Sequence, residues 1–393
     1  MLDESTFEEV LDWILGDSEA RNQPPCRSLS FDSDRSVNLM YWTPGRESWT
    51  SDFESAKAYP PYSVAGNPHT WQRLADPLLS FPDISCDHPE LTLHPTFIRE
   101  LRDDAPRRVY RRDNSLKSVL HWGQRKLLLS EIEFLTDSLK KKIPGNFFRP
   151  VAVVYVGAAP GDHLPILIKM FREEISRWIL YDGRAFSFEP SFTVDQHMEF
   201  FDINEAKRLK KFLCDYDILL ISDIRNLSHS DLPPEQSEIS VKNDMKNQHE
   251  WVSILKPKNS MLKFRLPYTE GITEYLTGKL LLPIWGPQTT TECRLIVKFD
   301  DIDKTKFYDH RQHWEQMSFF NTVTRVGIYT EPLEKHGNSN RLTHGLCHCY
   351  DCTAELKVLE EYCKIFSPES DAIALSNSIS QNLQGRKGLR KGS

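Results

Sequence analysis

Two lysines and two carboxylates have the types and positions for proton-transfer chemistry. Asp223 ends the apolar run DILLISD, Lys263 lies in SMLKFRL, Glu292 lies in TTTECRL, and Lys126 lies in GQRKLLL at the start of a predicted helix. A nucleotide-binding α/β sheet brings the ends of its strands to one cleft, where we expect these four side chains to meet. Such a set can accept or stabilise the proton of a weakly acidic hydroxyl group while its reaction partner is held in line.

A lysine amine can take up that proton only if its pKa lies below the usual value. Burial and a second nearby cation both disfavour the ammonium form, and neighbouring carboxylates orient the amine. Each of the four residues alone is most often a solvated helix or strand end. The hypothesis therefore depends on their joint occurrence. Together, the four residues suit the deprotonation of a very weak acid such as a ribose 2'-hydroxyl.

The elements that must position these residues alternate between strands and helices from about 106 to 300. Strands are predicted at VAVVYV, WILYD and DILLISD, and helices at KLLLSEIEFLTDSLKK, HLPILIKMFREEI and NEAKRLKKFL. Alternation of this kind indicates a parallel sheet covered by helices on both faces. We therefore expect a doubly wound α/β fold with a mostly parallel sheet.

The turn that follows the first predicted strand, VGAAPGDH, is typical of a ligand-binding loop. Gly157 and Gly161 let the backbone approach a ligand closely at the carboxyl end of the sheet. The missing third glycine of G-x-G-x-x-G and the missing G-K-[ST] disfavour dinucleotides and triphosphates. Asp182 ends the next strand, where a carboxylate can accept hydrogen bonds from both ribose hydroxyls of an adenosyl group. Together these features predict S-adenosyl-L-methionine as the cofactor.

These motifs resemble the poxvirus-type cap-specific mRNA (nucleoside-2'-O-)-methyltransferase family, which is also the small, processivity subunit of the viral poly(A) polymerase. The family has relatives in other large DNA viruses and in kinetoplastids. The resemblance covers residues about 106–330 and rests on HWGQRKLLLSE, VVYVGAAPGDH, LYDGR, LLISDIR, LKFRLPY and TECRL, in the family's order. It implies a Rossmann-like methyltransferase that modifies the 2'-hydroxyl of the first, second or a later transcribed nucleotide of capped mRNA. Lys126, Asp223, Lys263 and Glu292 would be its catalytic tetrad, with Lys263 as the catalytic lysine.

The resemblance also implies which residues bind the cofactor. Its motif positions correspond to Gln124, Gly157, Gly161, His163, Asp182, Arg184 and Arg225, with Phe201 or Asp202 beside the adenine.

A cap pocket is implied as well. The positive charge of 7-methylguanine favours a position between two aromatic rings, with carboxylates that accept its N1 and N2 protons. The corresponding residues are Tyr268 with a partner ring at Tyr110, and the acids Glu270 and Glu315. The family's further aromatic residue before the tetrad glutamate is absent, because Thr289, Thr290 and Thr291 occupy that segment.

The remaining parts of the chain are predicted to be additions to this catalytic domain at 106–330. Residues 1–105 form an N-terminal extension, partly irregular, in which only TFEEVLDWIL has helical spacing. Residues 331–375 form a Cys/His-containing helical addition, and residues 376–393 a disordered basic tail. The segment HGLCHCYDC at 344–352 has ligands that suit zinc, but a structural zinc usually joins two separated ligand pairs. Zinc and packed thiols both remain open, and no metal is assigned to the catalytic site.

Composition narrows the class of protein. The chain has 393 residues, 39% of them hydrophobic, a net charge of −7 and eight cysteines without the spacing of a secreted disulfide framework. It has neither a signal peptide nor an apolar run that could span a membrane, so we expect an intracellular protein. The tail GRKGLRK favours the nucleus, with the cytoplasm or the virion as the alternative for a viral protein. Expected partners are capped mRNA and other capping or polyadenylation proteins, and the oligomeric state is not predicted.

Three other functions fit parts of the sequence. A methyltransferase of the ribosomal RNA type shares the tetrad but has no need of the cap-pocket residues. A non-catalytic RNA-binding subunit of a poly(A) polymerase has no need of two lysines and two acids at one cleft. A nicotinamide dehydrogenase is disfavoured by the missing third glycine.

Overall fold

The computed structural model describes residues 27–31, 37–43, 48–50, 97–110, 123–140, 149–224, 234–286, 289–326, 329 and 350–384. The helix predicted at TFEEVLDWIL, the site residue Arg225 and residues 344–349 of the Cys/His segment lie outside these ranges. Within them, none of the helices has both the length and the apolar character needed to cross a bilayer.

Three short strands precede the catalytic region. These strands are β1 (Arg27–Phe31), β2 (Val37–Thr43) and β3 (Ser48–Thr50), and they form an antiparallel sheet in that order. They lie within the predicted N-terminal extension, which is expected to be only partly irregular. Their local pattern, such as VNLMYWT in β2, is rich in the β-branched and aromatic residues that favour strands.

Nine further strands and seven α-helices follow in the described part of the chain. The strands are β4 (Val151–Val156), β5 (Arg177–Tyr181), β6 (Val194–His197), β7 (Asp217–Ser222), β8 (Asn259–Phe264), β9 (Ile272–Leu276), β10 (Lys279–Leu281), β11 (Cys293–Lys298) and β12 (Thr305–Asp309). The helices are α1 (Gly123–Leu139), α2 (Leu164–Met170), α3 (Ile203–Phe212), α4 (Pro234–Leu255), α5 (His310–Thr322), α6 (Tyr350–Phe366) and α7 (Ala372–Gln384). Helix α2 ends earlier than the sequence pattern HLPILIKMFREEI predicts.

The central sheet has seven strands in the order β10-β11-β8-β7-β4-β5-β6. The five strands from β8 to β6 are parallel, and β11 and β10 are antiparallel additions at one edge. This confirms the prediction of a doubly wound, mostly parallel sheet. From β4 the chain runs outward to β6 and then returns to the other side at β7. Ligands of such sheets bind at this reversal, outside the carboxyl ends of β4 and β7.

The two strands at the reversal are fully buried. All six residues of β4 (VAVVYV) and all six of β7 (DILLIS) are inaccessible or nearly so. Continuous burial is expected for central parallel strands that have helices on both faces, and it explains why these runs are apolar throughout rather than alternating. The loops after β4 and β7 therefore extend from a rigid base.

A segment before residue 106 also belongs to the catalytic fold. The Leu101 amide donates to the Leu280 carbonyl at 2.8 Å, and the Leu282 amide donates to the Arg99 carbonyl at 3.0 Å. Leu101 is buried. Residues 99–101 thus continue the sheet beyond β10, and the domain begins earlier than the predicted boundary at 106.

The C-terminal helices pack on the catalytic domain. Arg125 of α1 forms a buried ion pair with Glu355 of α6, which also accepts a 2.6 Å hydrogen bond from the Trp285 indole. Asp351 of α6 pairs with Arg325 at 3.0 Å, and both side chains are inaccessible. Helix α7 continues to Gln384, so the tail expected to be disordered from residue 376 is helical at 376–384. Residues 385–393 lie outside the described part.

Candidate active site

The four residues singled out in the sequence meet at the reversal of the sheet. Lys263 Nζ lies 2.9 Å from Asp223 Oδ1 and 3.6 Å from Glu292 Oε2. Lys126 Nζ lies 2.6 Å from Glu292 Oε1. All four side chains are mostly buried, with 9% to 18% of each exposed. Each lysine is thus held by carboxylates, while the cluster keeps a route to solvent.

Each member comes from a different element. Asp223 directly follows β7, Lys263 lies in β8, Glu292 immediately precedes β11, and Lys126 lies in the first turn of α1. Since β7 and β8 are neighbouring parallel strands, their ends meet at one edge. The antiparallel pairing of β11 with β8 brings Glu292 back to the same edge.

Arg294 is a fifth member that the sequence reasoning missed. Its guanidinium lies 2.9 Å from Asp223 Oδ1 and 3.3 Å from Glu292 Oε1, and only 4% of the residue is exposed. Arg294 stands opposite Lys263 in the ladder of β11 and β8. Glu292 and Arg294 are two residues apart where the chain enters β11, and both approach Asp223 or Lys263. This alternate spacing is the signal that was available.

The charges of this cluster are unequal. At their ordinary protonation states, the two lysines and Arg294 carry three positive charges against two carboxylates. The net positive charge stabilises negative charge that develops on a nearby oxygen. Burial alone would raise the pKa of Asp223, but Lys263 and Arg294 outweigh burial and hold that pKa below its usual value. Asp223 therefore remains an ionised partner for Lys263 at neutral pH.

The glycine loop after β4 packs directly on Asp223. Gly157 has a φ of +85°, and a Cβ there would lie 2.7 Å from the carbonyl carbon of Asp223. Gly161 has a φ of +73°, and a Cβ there would lie 3.0 Å from the Ala158 carbonyl oxygen. Gly157 is therefore required by the close approach of two backbones, in addition to any contact with a ligand.

Asp182 lies beside this loop, at the end of β5. Its carboxylate accepts hydrogen bonds from the Ala159 amide at 3.0 Å and the Arg184 amide at 2.9 Å. The Arg184 side chain also covers Asp182 and donates to the Ala159 carbonyl at 2.6 Å. Because 69% of the Arg184 side chain is exposed, it can swing aside and leave carboxylate lone pairs for a pair of hydroxyl groups.

Gln124 and His163 lie together, but His163 is a buried linker. Its Nδ1 lies 2.7 Å from Gln124 Oε1, and its Nε2 lies 3.0 Å from Glu131 Oε1. Tyr155 donates to the same Glu131 at 2.6 Å, and burial together with Glu131 raises the pKa of Tyr155. His163 is 1% exposed. This network holds Gln124 of α1 beside the glycine loop.

The structure places the two adenine neighbours inferred by resemblance in different surroundings. Phe201 is buried between Tyr181 and Trp251, at ring-centroid distances of 4.8 and 5.1 Å, and so it packs in the core. Asp202 caps α3 by accepting from the Glu205 amide at 2.8 Å. Phe200, one residue earlier, is 81% exposed, and its ring lies over Gly183 at the end of β5. Phe200 is the accessible ring at this place.

The two rings expected at the cap pocket face each other. Tyr110 and Tyr268 are nearly parallel, with an interplanar angle of 10° and centroids 6.0 Å apart. Trp314 borders both rings, at 6.4 and 6.1 Å. A third ring inserted at about 3.5 Å from each tyrosine needs roughly 7 Å, so this pair must open by at least about 1 Å. Arg265 lies 4.4 Å from the centre of the Tyr268 ring.

The two acids expected at this pocket are bridged by arginines. Glu315 accepts from Arg107 at 2.6 Å and from Arg311 at 3.1 Å. Burial acts to raise the pKa of Glu315, but hydrogen bonds from these arginines lower it below the usual value. Arg311 also lies 3.8 Å from Glu270, which is largely exposed. Arg107 and Arg311 were not identified from the sequence, because nothing in the local pattern indicates which acids they approach.

Comparison with known proteins gives this arrangement a context. A family model described as the poly A polymerase regulatory subunit matches residues 94–384, and so includes the C-terminal helices. The chain is 30% identical over 232 residues to the cap-specific mRNA (nucleoside-2'-O-)-methyltransferase of Fowlpox virus (strain NVSL), over 55% of this chain and 72% of that protein. It is 32% identical over 187 residues to the protein of that name from Myxoma virus (strain Lausanne), over 46% of this chain and 53% of that protein.

Two solved structures show weaker likeness. Bluetongue virus VP4, described as a multifunctional RNA-capping production line, has a TM-score of 0.37 and 12% identity over 59% of this chain and 36% of its own. A ribosomal RNA methyltransferase from Plasmodium falciparum has a TM-score of 0.29 and 13% identity over 45% of this chain and 96% of its own. Both TM-scores are low, whereas the family match covers most of the chain. The chain belongs to the poly A polymerase regulatory subunit family.

Proposed function

We propose that this protein is a cap-specific mRNA 2'-O-methyltransferase, which transfers a methyl group from S-adenosyl-L-methionine to a ribose 2'-hydroxyl near the 5' cap. The observation that carries the proposal is a continuous chain of ion pairs at the reversal of the sheet. Lys126 contacts Glu292, Glu292 contacts Lys263, and Lys263 contacts Asp223. The relatives from Fowlpox virus and Myxoma virus, which are named for this reaction, support it.

The residues around the glycine loop fit an adenosyl group. The loop approaches without side chains at Gly157 and Gly161, and Asp182 at the end of β5 can accept from both ribose hydroxyls once Arg184 moves aside. Gln124, fixed by His163, and the exposed ring of Phe200 complete the proposed pocket. When bound there, S-adenosyl-L-methionine supplies an electrophilic methyl group.

Lys263 is the residue proposed to handle the proton of the acceptor hydroxyl. Asp223 and Glu292 hold its amine in a fixed orientation, which is the contribution of geometry to the rate. Lys126 holds Glu292, and Arg294 adds positive charge where the acceptor oxygen becomes more negative. The chain's own residues thereby position the hydroxyl, receive or stabilise its proton and stabilise the developing oxyanion.

Replacement of Asp182 by alanine is expected to weaken cofactor binding by roughly tenfold to a hundredfold. The variant loses a charged acceptor, and hydrogen bonds to charged groups contribute about 1.5–3 kcal/mol each. Equilibrium binding of S-adenosyl-L-methionine by calorimetry measures the effect. Asp195 offers a matched control, since its carboxylate pairs with Arg177 on neighbouring strands away from the glycine loop. Equal losses in D182A and D195A would remove Asp182 from the pocket.

Replacement of Tyr268 by alanine is expected to weaken the binding of m7G-capped RNA roughly tenfold or more, while uncapped RNA binds nearly as before. Stacking on an aromatic ring contributes about 1–3 kcal/mol per base. Fluorescence anisotropy with matched capped and uncapped RNAs measures the difference. The control Y268F keeps the ring and loses the hydroxyl group, which contacts Thr291, so it should retain the preference for capped RNA. Equal weakening of both RNAs by Y268A would place Tyr268 outside the cap pocket.

The proposed activity is tested by methyl transfer to short RNAs with an m7G cap, with an already methylated first nucleotide, or with a bare 5' end. Label on the capped RNA supports the proposal, and nuclease mapping identifies the modified nucleotide. Equal label on bare RNA would favour a methyltransferase of the ribosomal RNA type. Binding of RNA without any transfer would favour a non-catalytic subunit.

The family description gives a second candidate role. It names a regulatory subunit of a poly A polymerase, so we propose a polyadenylating enzyme as a protein partner in addition to capped mRNA. The relatives from Fowlpox virus and Myxoma virus are viral proteins, which favours the cytoplasm or the virion over the nuclear location expected from the basic tail. Fluorescent tagging of the full chain in its native cell tests that prediction.

A further inference from the structure

A cavity beside Lys263 has no role in the reaction as proposed so far. Its volume is about 170 Å³, and it lies between α4 and the ends of β8 and β11. Lys263, Glu292, Arg265 and Tyr268 are among the residues that line it. The lining therefore includes members of both the tetrad and the proposed cap pocket, and the first nucleotides of a capped RNA must pass between these two sites.

The cavity has the size and the lining for a heterocyclic ring. A cavity of about 150 Å³ admits benzene, and this one is open on one side, so a larger ring can extend from it. Ile224, Val241 and Met245 give it an apolar wall. Thr290 and Thr291 form part of the remaining lining.

One polar atom in this apolar wall lacks a partner. Gln248 is 1% exposed and donates from its amide nitrogen to the Lys263 carbonyl at 3.2 Å. That bond fixes the orientation of the amide, because only its nitrogen can donate to a carbonyl oxygen. The opposite atom, Gln248 Oε1, is buried and accepts no hydrogen bond from any residue that the structure describes. A buried acceptor without a donor is costly, so its persistence here points to a ligand.

A second unpartnered group belongs to another residue of the lining. The Arg265 side chain pairs with Glu238 through its terminal nitrogen at 2.7 Å, but its buried Nε–H has no acceptor among the described residues. The lining of the cavity thus includes one unpartnered acceptor and one unpartnered donor, in addition to the charged side chains of Asp244, Lys263 and Glu292. Nucleobases carry this combination of a flat ring, N–H donors and ring or carbonyl acceptors.

We propose that this cavity binds the base of the nucleotide whose ribose is methylated, and that Gln248 Oε1 accepts a hydrogen bond from its exocyclic amino group. The inference rests on the proposed function and adds a preference among acceptor nucleotides to it. Adenine, cytosine and guanine carry an exocyclic amino group, and uracil does not. An RNA with uracil at the methylated position offers Gln248 no amino donor.

The test compares kcat/KM of the full chain for m7G-capped RNAs that differ only in the base at the methylated position. We expect a preference of roughly fivefold to tenfold for adenine over both uracil and purine, which lacks only the amino group of adenine. In Q248L this preference should shrink to within about twofold. In Q248E, which keeps an acceptor oxygen, it should persist.

The ratio between substrates separates recognition from a structural role. A disturbance of Lys263 in the Gln248 variants slows all RNAs alike and leaves the ratio unchanged. The inference would be overturned if the wild-type protein had equal kcat/KM for the RNA with adenine and the RNA with purine at the methylated position. A preference for adenine that survives in Q248L would also overturn it. Transfer to none of the RNAs would instead overturn the proposed function, together with this inference.

Discussion

Replacement of Lys263 by alanine is expected to lower the rate of methyl transfer by about 10² to 10⁴, the range that general acid–base groups contribute. The amine of Lys263 is held in place at the cleft by Asp223 and Glu292. Cofactor binding should stay nearly unchanged, because the glycine loop and Asp182 are untouched. Single-turnover transfer of labelled methyl to capped RNA measures the rate, and calorimetry measures cofactor affinity.

Two controls define what Lys263 does. Lys258, just before the same strand β8, pairs with Asp217 at the opposite end of the sheet and is largely exposed, so K258A should transfer methyl at nearly the wild-type rate. K263R keeps the positive charge but cannot accept a proton at neutral pH. Loss of activity in K263R supports a role in proton transfer, whereas an active K263R would leave only an electrostatic role. Lost cofactor binding in a K263A protein with residual activity would contradict the assignment.

Replacement of Asp351 by alanine is expected to lower the free energy of unfolding by about 3–5 kcal/mol, the cost of leaving one partner of a buried ion pair alone. Asp351 accepts from Arg325 at 3.0 Å and from the Trp285 amide at 2.8 Å, and neither charged side chain is accessible. In D351A the Arg325 guanidinium loses the carboxylate that neutralises it. Urea unfolding followed by tryptophan fluorescence measures the change.

The matched control is D301A, which removes the same carboxylate from an exposed pair. Asp301 lies 2.8 Å from Lys304 on the surface, where such pairs contribute about 0–1 kcal/mol. Because α6 also contacts α1 through Glu355 and Arg125, we expect D351A to weaken cofactor binding together with stability. An unchanged free energy of unfolding in D351A would show that α6 is not anchored to the catalytic domain.

Local patterns were sufficient for the elements around the catalytic cleft. Apolar runs such as VAVVYV and DILLIS correspond to buried parallel strands because both faces of the sheet are covered. The helix at Ile203–Phe212 matches its predicted range to within one residue. The N-terminal strands have a local pattern that favours strands, whereas the C-terminal helix is stabilised by contacts that local sequence does not encode. The helix that continues to Gln384 packs against α6 and bonds to Arg125 through Ser376.

By itself, the sequence determined the fold class and the types of residue that lie at the cleft. Strand ends and glycine turns are local signals, and a known sheet topology gives their positions relative to one another. Tertiary structure alone decided which side chains touch. Arg294 joins the tetrad through the pairing of β11 with β8. Phe200 rather than Phe201 is accessible because Phe201 packs against Tyr181 and Trp251 in the core. The parallel rings of Tyr110 and Tyr268 and the unpartnered oxygen of Gln248 depend on segments distant in the chain, whose packing no local pattern specifies.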